Sequence, residues 1–341
     1  MTRTVFRGGR LFDGSGADPA PADVAIEGER IVAIGTGLEG DTAVDVGGRT
    51  ILPGLFDCHV HVTLSHVDHW RTANEPFSYQ FYQASRNLAA TLRAGITTVR
   101  DAGGADLGIK QAVAEGLIPG PRLQISVVML SQTGGHGDDW FPSGTVVPLM
   151  VDHPGRPSGI VDGPDEARHK VRELVRAGAD VIKVATSGGV LSPRDDPRLA
   201  QFRPAELAVI VEEATAAGIG VMAHAQAADG IKNAIRAGIR SIEHGVYLDD
   251  EAIAMMLERG TWFVPTLVAP QGVIDAAAAG APIPPMILDK ARMVVDVHRE
   301  AFRRAVAAGV KIAMGTDSGV TPHGQNLREL ALMAAGGMRP E

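Results

Sequence analysis

The sequence predicts an α/β protein: a (β/α)8 barrel preceded by a small β-sandwich portion. Three observations carry this expectation. From Ile51 onward, eight apolar runs alternate with helical segments. Several of those segments end in Ala-Gly, as at Ala94-Gly95, Ala177-Gly178, Ala217-Gly218, Ala237-Gly238 and Ala308-Gly309. Glycine there supplies the left-handed cap from which the chain re-enters a strand. The stretch before Ile51 reads differently, as short β-prone runs between glycine turns.

Composition sets bounds on this picture. The chain has 341 residues, 45% hydrophobic and 21% charged, enough for one large domain and a small one. The net charge of −8 comes from interspersed acids and bases, which argues against a nucleic-acid surface. Cys58 is the only cysteine, so neither an intramolecular disulfide nor a thiolate metal cluster can form. Its strand parity points it away from His59, as a core residue. Met1-Thr2-Arg3-Thr4-Val5-Phe6 lacks a signal peptide's apolar segment, and no run is long enough to span a bilayer. A cytoplasmic protein without a membrane partner is the expectation.

Taken in order, the runs 4–7, 23–27, 30–34 and 43–46 form a small antiparallel unit, separated by Gly8-Gly9, Gly28-Glu29 and Gly47-Gly48. This unit is assigned to residues 1–52 and the barrel to 53–341. Barrel strands are expected at 51–61, 96–101, 122–131, 179–186, 219–225, 239–244, 261–267 and 310–317. Helices are expected near 77–94, 106–116, 164–177, 204–217, 229–237, 249–259 and 289–308, with a last one starting at Asn326. Ala179-Asp180-Val181-Ile182-Lys183-Val184-Ala185 is apolar nearly throughout, as a parallel strand covered on both faces must be. No Gly-x-Gly-x-x-Gly follows a first strand, which removes support for dinucleotide binding. Two connections are long, from Ser131 to Pro164 and from Thr186 to Arg203. Both follow strands, so both belong to the face where barrels place their chemistry.

The candidate chemistry sits at strand ends. His59 and His61 share one face of the first strand, because alternate side chains do. Lys183 lies on the fourth, while His224, His244 and Asp317 end the fifth, sixth and eighth. A barrel brings these ends to one rim, where four imidazoles and a carboxylate suit two divalent ions roughly 3.5–4 Å apart. Lys183 is flanked by Val181, Ile182, Val184 and Ala185, so desolvation favours its neutral amine. Such an amine can form a Schiff base, act as a base, or take up carbon dioxide as a metal-bridging carbamate. A lysine head reaching solvent past the strand end is the plainer alternative.

These residues stand in longer matching stretches. They are Pro53-Gly54-Leu55-Phe56-Asp57-Cys58-His59-Val60-His61, Val99-Arg100-Asp101-Ala102-Gly103-Gly104, and Lys183 through Leu191. Further on come His224-Ala225, Ile242-Glu243-His244-Gly245 and Gly315-Thr316-Asp317-Ser318-Gly319. Across almost the whole chain the sequence resembles the amidohydrolase superfamily, in its imidazolonepropionase-related group with Xaa-Pro dipeptidases (prolidases) and ochratoxin-type amidases. The resemblance implies two divalent metal ions, Zn2+ first among them. His59 and His61 would hold the more buried ion, His224 and His244 the more exposed one. N6-carboxylated Lys183 would bridge them, and Asp317 would bind metal and handle the proton. The implied reaction is attack of a metal-bridging hydroxide on an amide, with Asp317 returning the proton to the leaving nitrogen.

The implied substrates are Xaa-Pro dipeptides or N-acyl amino acids. The alternatives are a cyclic-amide hydrolase, a lactonase, or an inactive barrel used for binding. His136, in the loop after the third strand, is a candidate oxyanion donor and substrate contact. Tyr247, Arg194 and His323 are candidate substrate contacts, with Tyr247 and Arg194 placed to meet a carboxylate. His66, His69, His153, His169 and His298 lie off the strand ends and read as surface or packing residues. Asp57 reads as support beneath the histidines and Asp101 as a loop or substrate organiser. Proteins of this group continue past the eighth strand with a full helix and strands that complete the sandwich. This chain ends at Glu341, so the expectation is an incomplete sandwich, exposed edges and self-association, with a homo-oligomer as one outcome.

Overall fold

In the computed structural model, residues 2–192 and 194–339 are described. The chain divides into two compact units, one running to Leu55 and the other from Phe56 to Met338.

The first unit holds β1 (Arg3–Arg7), β2 (Arg10–Leu11), β3 (Ala20–Pro21), β4 (Asp23–Glu27), β5 (Arg30–Gly35), β6 (Thr42–Asp45) and β7 (Thr50–Ile51). One sheet has the order β5-β4-β1-β6 and the other β3-β2-β7. The expected antiparallel unit needs correction here. β1 runs parallel to β6, and β2 runs parallel to β7. The cause is that β6 crosses to the far side of β1 instead of folding back on β5. Val5, Val24 and Ala25 are buried, while Ile31 and Ile34 of β5 are 64% and 55% exposed.

The second unit begins with β8 (Leu55–Val60), α1 (His69–Asn74), α2 (Tyr79–Arg93), β9 (Ile96–Asp101), α3 (Leu107–Ala114), β10 (Arg122–Ile125), β11 (Met129–Leu130), α4 (Gly163–Arg176) and β12 (Val181–Ala185). It continues with α5 (Pro204–Ala216), β13 (Gly220–Ala225), α6 (Ala228–Ala237), β14 (Ser241–His244), α7 (Asp250–Arg259) and β15 (Trp262–Val264). Last come α8 (Val268–Ala278), α9 (Pro285–Ala308) and α10 (Arg328–Ala335). Its strands form two sheets, β10-β9-β8 and β11-β12-β13-β14-β15. β9 with β10, and each neighbouring pair from β11 to β15, run parallel. Every residue of β12 is buried, as its apolar sequence requires. This is an α/β architecture, with parallel strands alternating with helices.

The helices cover these sheets with apolar stripes. α9 buries Ile287, Ala291, Val294, His298, Ala301, Phe302 and Ala305, three or four residues apart along one face with Ala301 and Phe302 side by side. Its last residue is followed by Gly309 at φ 80°, the left-handed cap expected from the Ala-Gly pair. Two expected strands come out differently. The third breaks into β10 and β11 because Val127 adopts φ 68°, outside strand geometry. The eighth is no regular strand. Phe263 donates to Lys311 O and Ala313 to Phe263 O, while Cys58 donates to Met314 O and His61 to Ser318 O. Between these points the Thr316 amide bonds to the Asp57 side chain at 3.1 Å, and Asp317 turns to φ 58°. The Thr316 amide also reaches the His59 carbonyl at 3.3 Å, so a carboxylate shares this donor with the neighbouring strand. Helices α1 and α8 were not expected. Among the described residues, no helix is long and apolar enough to cross a membrane.

Candidate functional site

Asp57, at the base of the site, accepts from the His59 amide, the Thr316 amide and hydroxyl, and Asn326 Nδ2. Burial pushes its carboxyl up to about 6, against those donors. These bonds lay the 316–318 segment along His59–His61, and the His59 carbonyl accepts from the Asp317 amide at 2.7 Å. Asp101 does the same for the loop after β9, accepting from the amides of Val62, Gly103 and Ala105.

Above that base, imidazoles stand side by side. Ring centroids are 5.5 Å apart for His59–His61, 4.9 Å for His59–His244, 4.6 Å for His224–His244 and 4.0 Å for the stacked pair His136–His224. Each of the four at the strand ends has one ring nitrogen held by the protein. His59 Nδ1 meets Glu243 Oε2 at 2.8 Å, and His61 Nδ1 meets the Gly103 carbonyl at 2.8 Å. His244 Nδ1 pairs with Thr266 Oγ1 at 2.7 Å, and His224 Nε2 with the Gly188 carbonyl at 3.0 Å. Such pairing sets ring orientation and leaves the opposite nitrogen to act as a ligand. Asp317 Oδ1 lies 3.2 Å from His61 Nε2 and 3.5 Å from His59 Nε2. Lys183 Nζ, 1% exposed, is 3.5 Å from the same His59 nitrogen.

Burial drives His59, His224 and His244 well below the usual imidazole range, so they are neutral. Burial also pushes Lys183 down to about 8, with the carboxylates of Glu243 and Asp317 opposing it. For Asp317, burial acts upward, but His59, His61 and Lys183 outweigh it and hold the carboxyl low. Ligand atoms of His59, His244 and Asp317 all lie within 4.8 Å of one another. Neutral imidazoles converging on an ionised carboxylate are the donor set of a divalent transition metal, and these residues fit one.

The cluster opens into a cavity of about 220 Å³. Its walls are largely apolar, and Val190, Val246, Val273 and Val294 line one side. His136 lines it as well, with Nδ1 held by Ser192 Oγ at 2.8 Å and Asp195 Oδ2 at 3.3 Å.

Residues 50–341 match the amidohydrolase family. The chain belongs to that family. This amidohydrolase is 35% identical to ochratoxinase from Aspergillus niger over 360 aligned positions, spanning 99% of the chain and 73% of the relative. It is 34% identical to the crystal structure of a Xaa-Pro dipeptidase with methionine in its active site, at TM-score 0.88 over 99% of this chain and 84% of that one. A prolidase bound to N-methylphosphonate-L-proline is 38% identical, at TM-score 0.86 over 98% and 85%. The amidohydrolase is therefore a hydrolase of amide C–N bonds.

The amidohydrolase brings His59, His61, Lys183, His224, His244, Asp317 and His136 to this one cavity. It leaves the other expected contacts off the lining. Tyr247 packs half-buried against the cluster of Val190, Val246 and Val273. Arg194 is exposed and sits 5.2 Å over the Trp140 ring. His323 turns away, with Nε2 3.0 Å from the Leu64 carbonyl. Conversely, His69 and His298, read from sequence as surface or packing residues, both line the cavity.

Glu243 and Arg100 were not singled out. Glu243 is fully buried and accepts from Arg100 Nη2 at 2.8 Å and Ser241 Oγ at 2.6 Å besides holding His59. The available signal was a charged residue inside each apolar strand. Strand parity would send Glu243 and His244 to opposite faces, yet φ 69° at His244 turns its ring back beside His59.

Proposed function

We propose that this amidohydrolase is a binuclear metal-dependent enzyme that hydrolyses a peptide-like amide in Xaa-Pro dipeptides or N-acyl amino acids. The observation that carries the reading is the convergence of His59, His61, His224 and His244 on Asp317 and Lys183 at the floor of a largely apolar cavity. His59 and His61 would hold one ion and His224 and His244 the other. Lys183 would join them as its carbamate, with Asp317 on the first ion. Two divalent ions there, zinc being the first to test, would supply an activated water and polarise the amide carbonyl. We propose further that the strands of the larger unit close into a (β/α)8 barrel through the bonds of residues 311–318 to β15 and β8.

The chain's own groups divide the remaining work. Asp317, an ionised carboxylate against His61 and His59, takes a proton and delivers it to the leaving nitrogen. That delivery matters because an amide anion is a very poor leaving group. His136 is fixed at Nδ1, which donates to Asp195 and Ser192, and as an imidazolium it would donate from Nε2 to the developing oxyanion. The valine walls exclude bulk water and strengthen these interactions. The ochratoxinase, dipeptidase and prolidase likenesses support the substrate class. The test is a panel of Xaa-Pro dipeptides and N-acyl amino acids given to zinc-loaded protein, with release of the free amino acid measured. Release from members of the panel is expected. No release from either class, with two equivalents of metal bound, would sink the reading.

A further inference from the structure

Gly188 and Gly189, in the long connection after β12, touch both a proposed ligand and the proposed oxyanion donor. Their backbone is held from several sides. The Gly188 amide donates to the Leu199 carbonyl at 3.1 Å, and the Gly189 amide to Asp195 Oδ2 at 3.1 Å. The Gly188 carbonyl meets His224 Nε2 at 3.0 Å, and the Gly189 carbonyl accepts from Lys290 Nζ at 3.0 Å. Against Gly189 lies the His136 ring. A methyl on Gly189 would overlap His136 Cε1 and stand 2.6 Å from Nδ1 and 2.8 Å from Nε2. Non-bonded heavy atoms rest about 3.5–4.0 Å apart, so one side would have to yield. Gly189 has no left-handed backbone, so alanine there adds the methyl and no conformational strain. Four bonds fix the glycine backbone, which leaves the ring as the part that moves. Moving it breaks the bonds from Nδ1 to Ser192 Oγ at 2.8 Å and Asp195 Oδ2 at 3.3 Å. It also disturbs the stack on His224, whose ring centroid is 4.0 Å away.

We propose that Gly189 is a positioning residue, its bare α-carbon giving the His136 ring the one seat from which it serves the amide reaction. This rests on the amide-hydrolase reading above and on the donor role given there to His136. A side chain at 189 displaces that donor from a charge that forms only in the transition state. The loss therefore falls on kcat more than on KM.

The experiment is a double-mutant cycle on the zinc-loaded full chain, using the amide that wild type turns over fastest. Turnover, KM, metal content and melting temperature are measured for wild type, Gly189→Ala, His136→Ala and the double variant. His136→Ala should lose about 100-fold or more in kcat, and Gly189→Ala about tenfold or more, with metal content unchanged. Once His136 is gone, Gly189→Ala should change kcat less than about twofold, because the methyl then meets nothing. Losses that multiply would place the effect in the loop itself and overturn the proposal. Gly189→Ala turnover within about twofold of wild type does the same. Where Gly189→Ala folds poorly, melting temperature reads the same cycle. The methyl should cost little in the His136→Ala background, and equal destabilisation in both backgrounds overturns the proposal. Undiminished turnover in His136→Ala removes the donor role and this proposal, but leaves the hydrolase reading standing. No turnover on any amide, with metal bound, removes the hydrolase reading and this proposal together.

Discussion

Lys183 and Glu243 show how much burial alone decides at single residues. Lys183 Nζ has no carboxylate within ion-pair distance among the described residues, and burial brings it down to about 8. Near that pH about half of such amines are neutral and able to take up carbon dioxide. Lys183→Ala is therefore expected to lose metal and activity together, read by elemental analysis and turnover. Acetate or propionate should restore part of both. Full metal occupancy in that variant would remove the lysine from the ligand set. Glu243 sits between His59 and Arg100 with no exposure. Glu243→Gln leaves the guanidinium without its counter-charge and only one accepting oxygen for His59, Arg100 and Ser241. Metal affinity should fall about 10–100-fold, and stability by up to about 3 kcal/mol. Equilibrium dialysis and thermal melting read the two effects separately.

At the scale of elements, long helices hold the loops that carry chemistry. Lys290 of α9 donates to the carbonyls of Gly189, Ser192 and Asp195, at 3.0, 2.7 and 2.5 Å. Through Asp195 this anchor reaches His136. Lys290→Met should loosen residues 187–203, making them more open to protease. It should lower kcat/KM about tenfold or more while metal content stays the same. Unchanged kinetics would show the anchor is dispensable. Glu329 of α10 plays a comparable part for α8, accepting from the Leu267 and Val268 amides at 2.8 Å each. Burial pushes its carboxyl up to about 8, with those two amides opposing. Between the unfolded value near 4.5 and the folded one, the native state binds the extra proton. This contribution to stability is then full below about pH 4.5 and declines as pH rises towards 8. Against Glu329→Gln, wild type should lose more melting temperature between pH 5 and pH 8. An equal loss in both would exclude Glu329 as the source.

For the larger unit as a whole, the proposed ligands come from β8, β12, β13, β14 and the segment near its C-terminal end. An ion that binds only this assembled state stabilises it by mass action, about 4 kcal/mol at a thousandfold excess over Kd. For a unit of this size that is on the order of 10 °C in Tm. Dialysis against a chelator should lower Tm by that amount, and zinc should restore it. A melting curve indifferent to chelator would argue against a structural contribution from bound metal.

The sequence determined what depends on local chemistry and period. Apolar runs, glycine caps and helical stripes placed most elements within a few residues, and the strand-end rule located the six proposed ligands. In the first unit, β1, β4, β5 and β6 lie within about one residue of the runs read from sequence. Tertiary structure decided where local rules compete with side-chain bonds. The Asp57 carboxylate shares the Thr316 amide where the eighth strand becomes irregular, and left-handed backbones at His244 and Asp317 re-aim both side chains. The lining of the cavity was also beyond local reading. Periodicity places His298 on the buried face of α9 but cannot say that an open pocket lies against that face. Tyr247, Arg194 and His323 lie off the lining of this cavity, since closeness in sequence to a ligand does not fix where a loop side chain points. Period sets which face a residue occupies, whereas the packing of distant elements sets what that face meets.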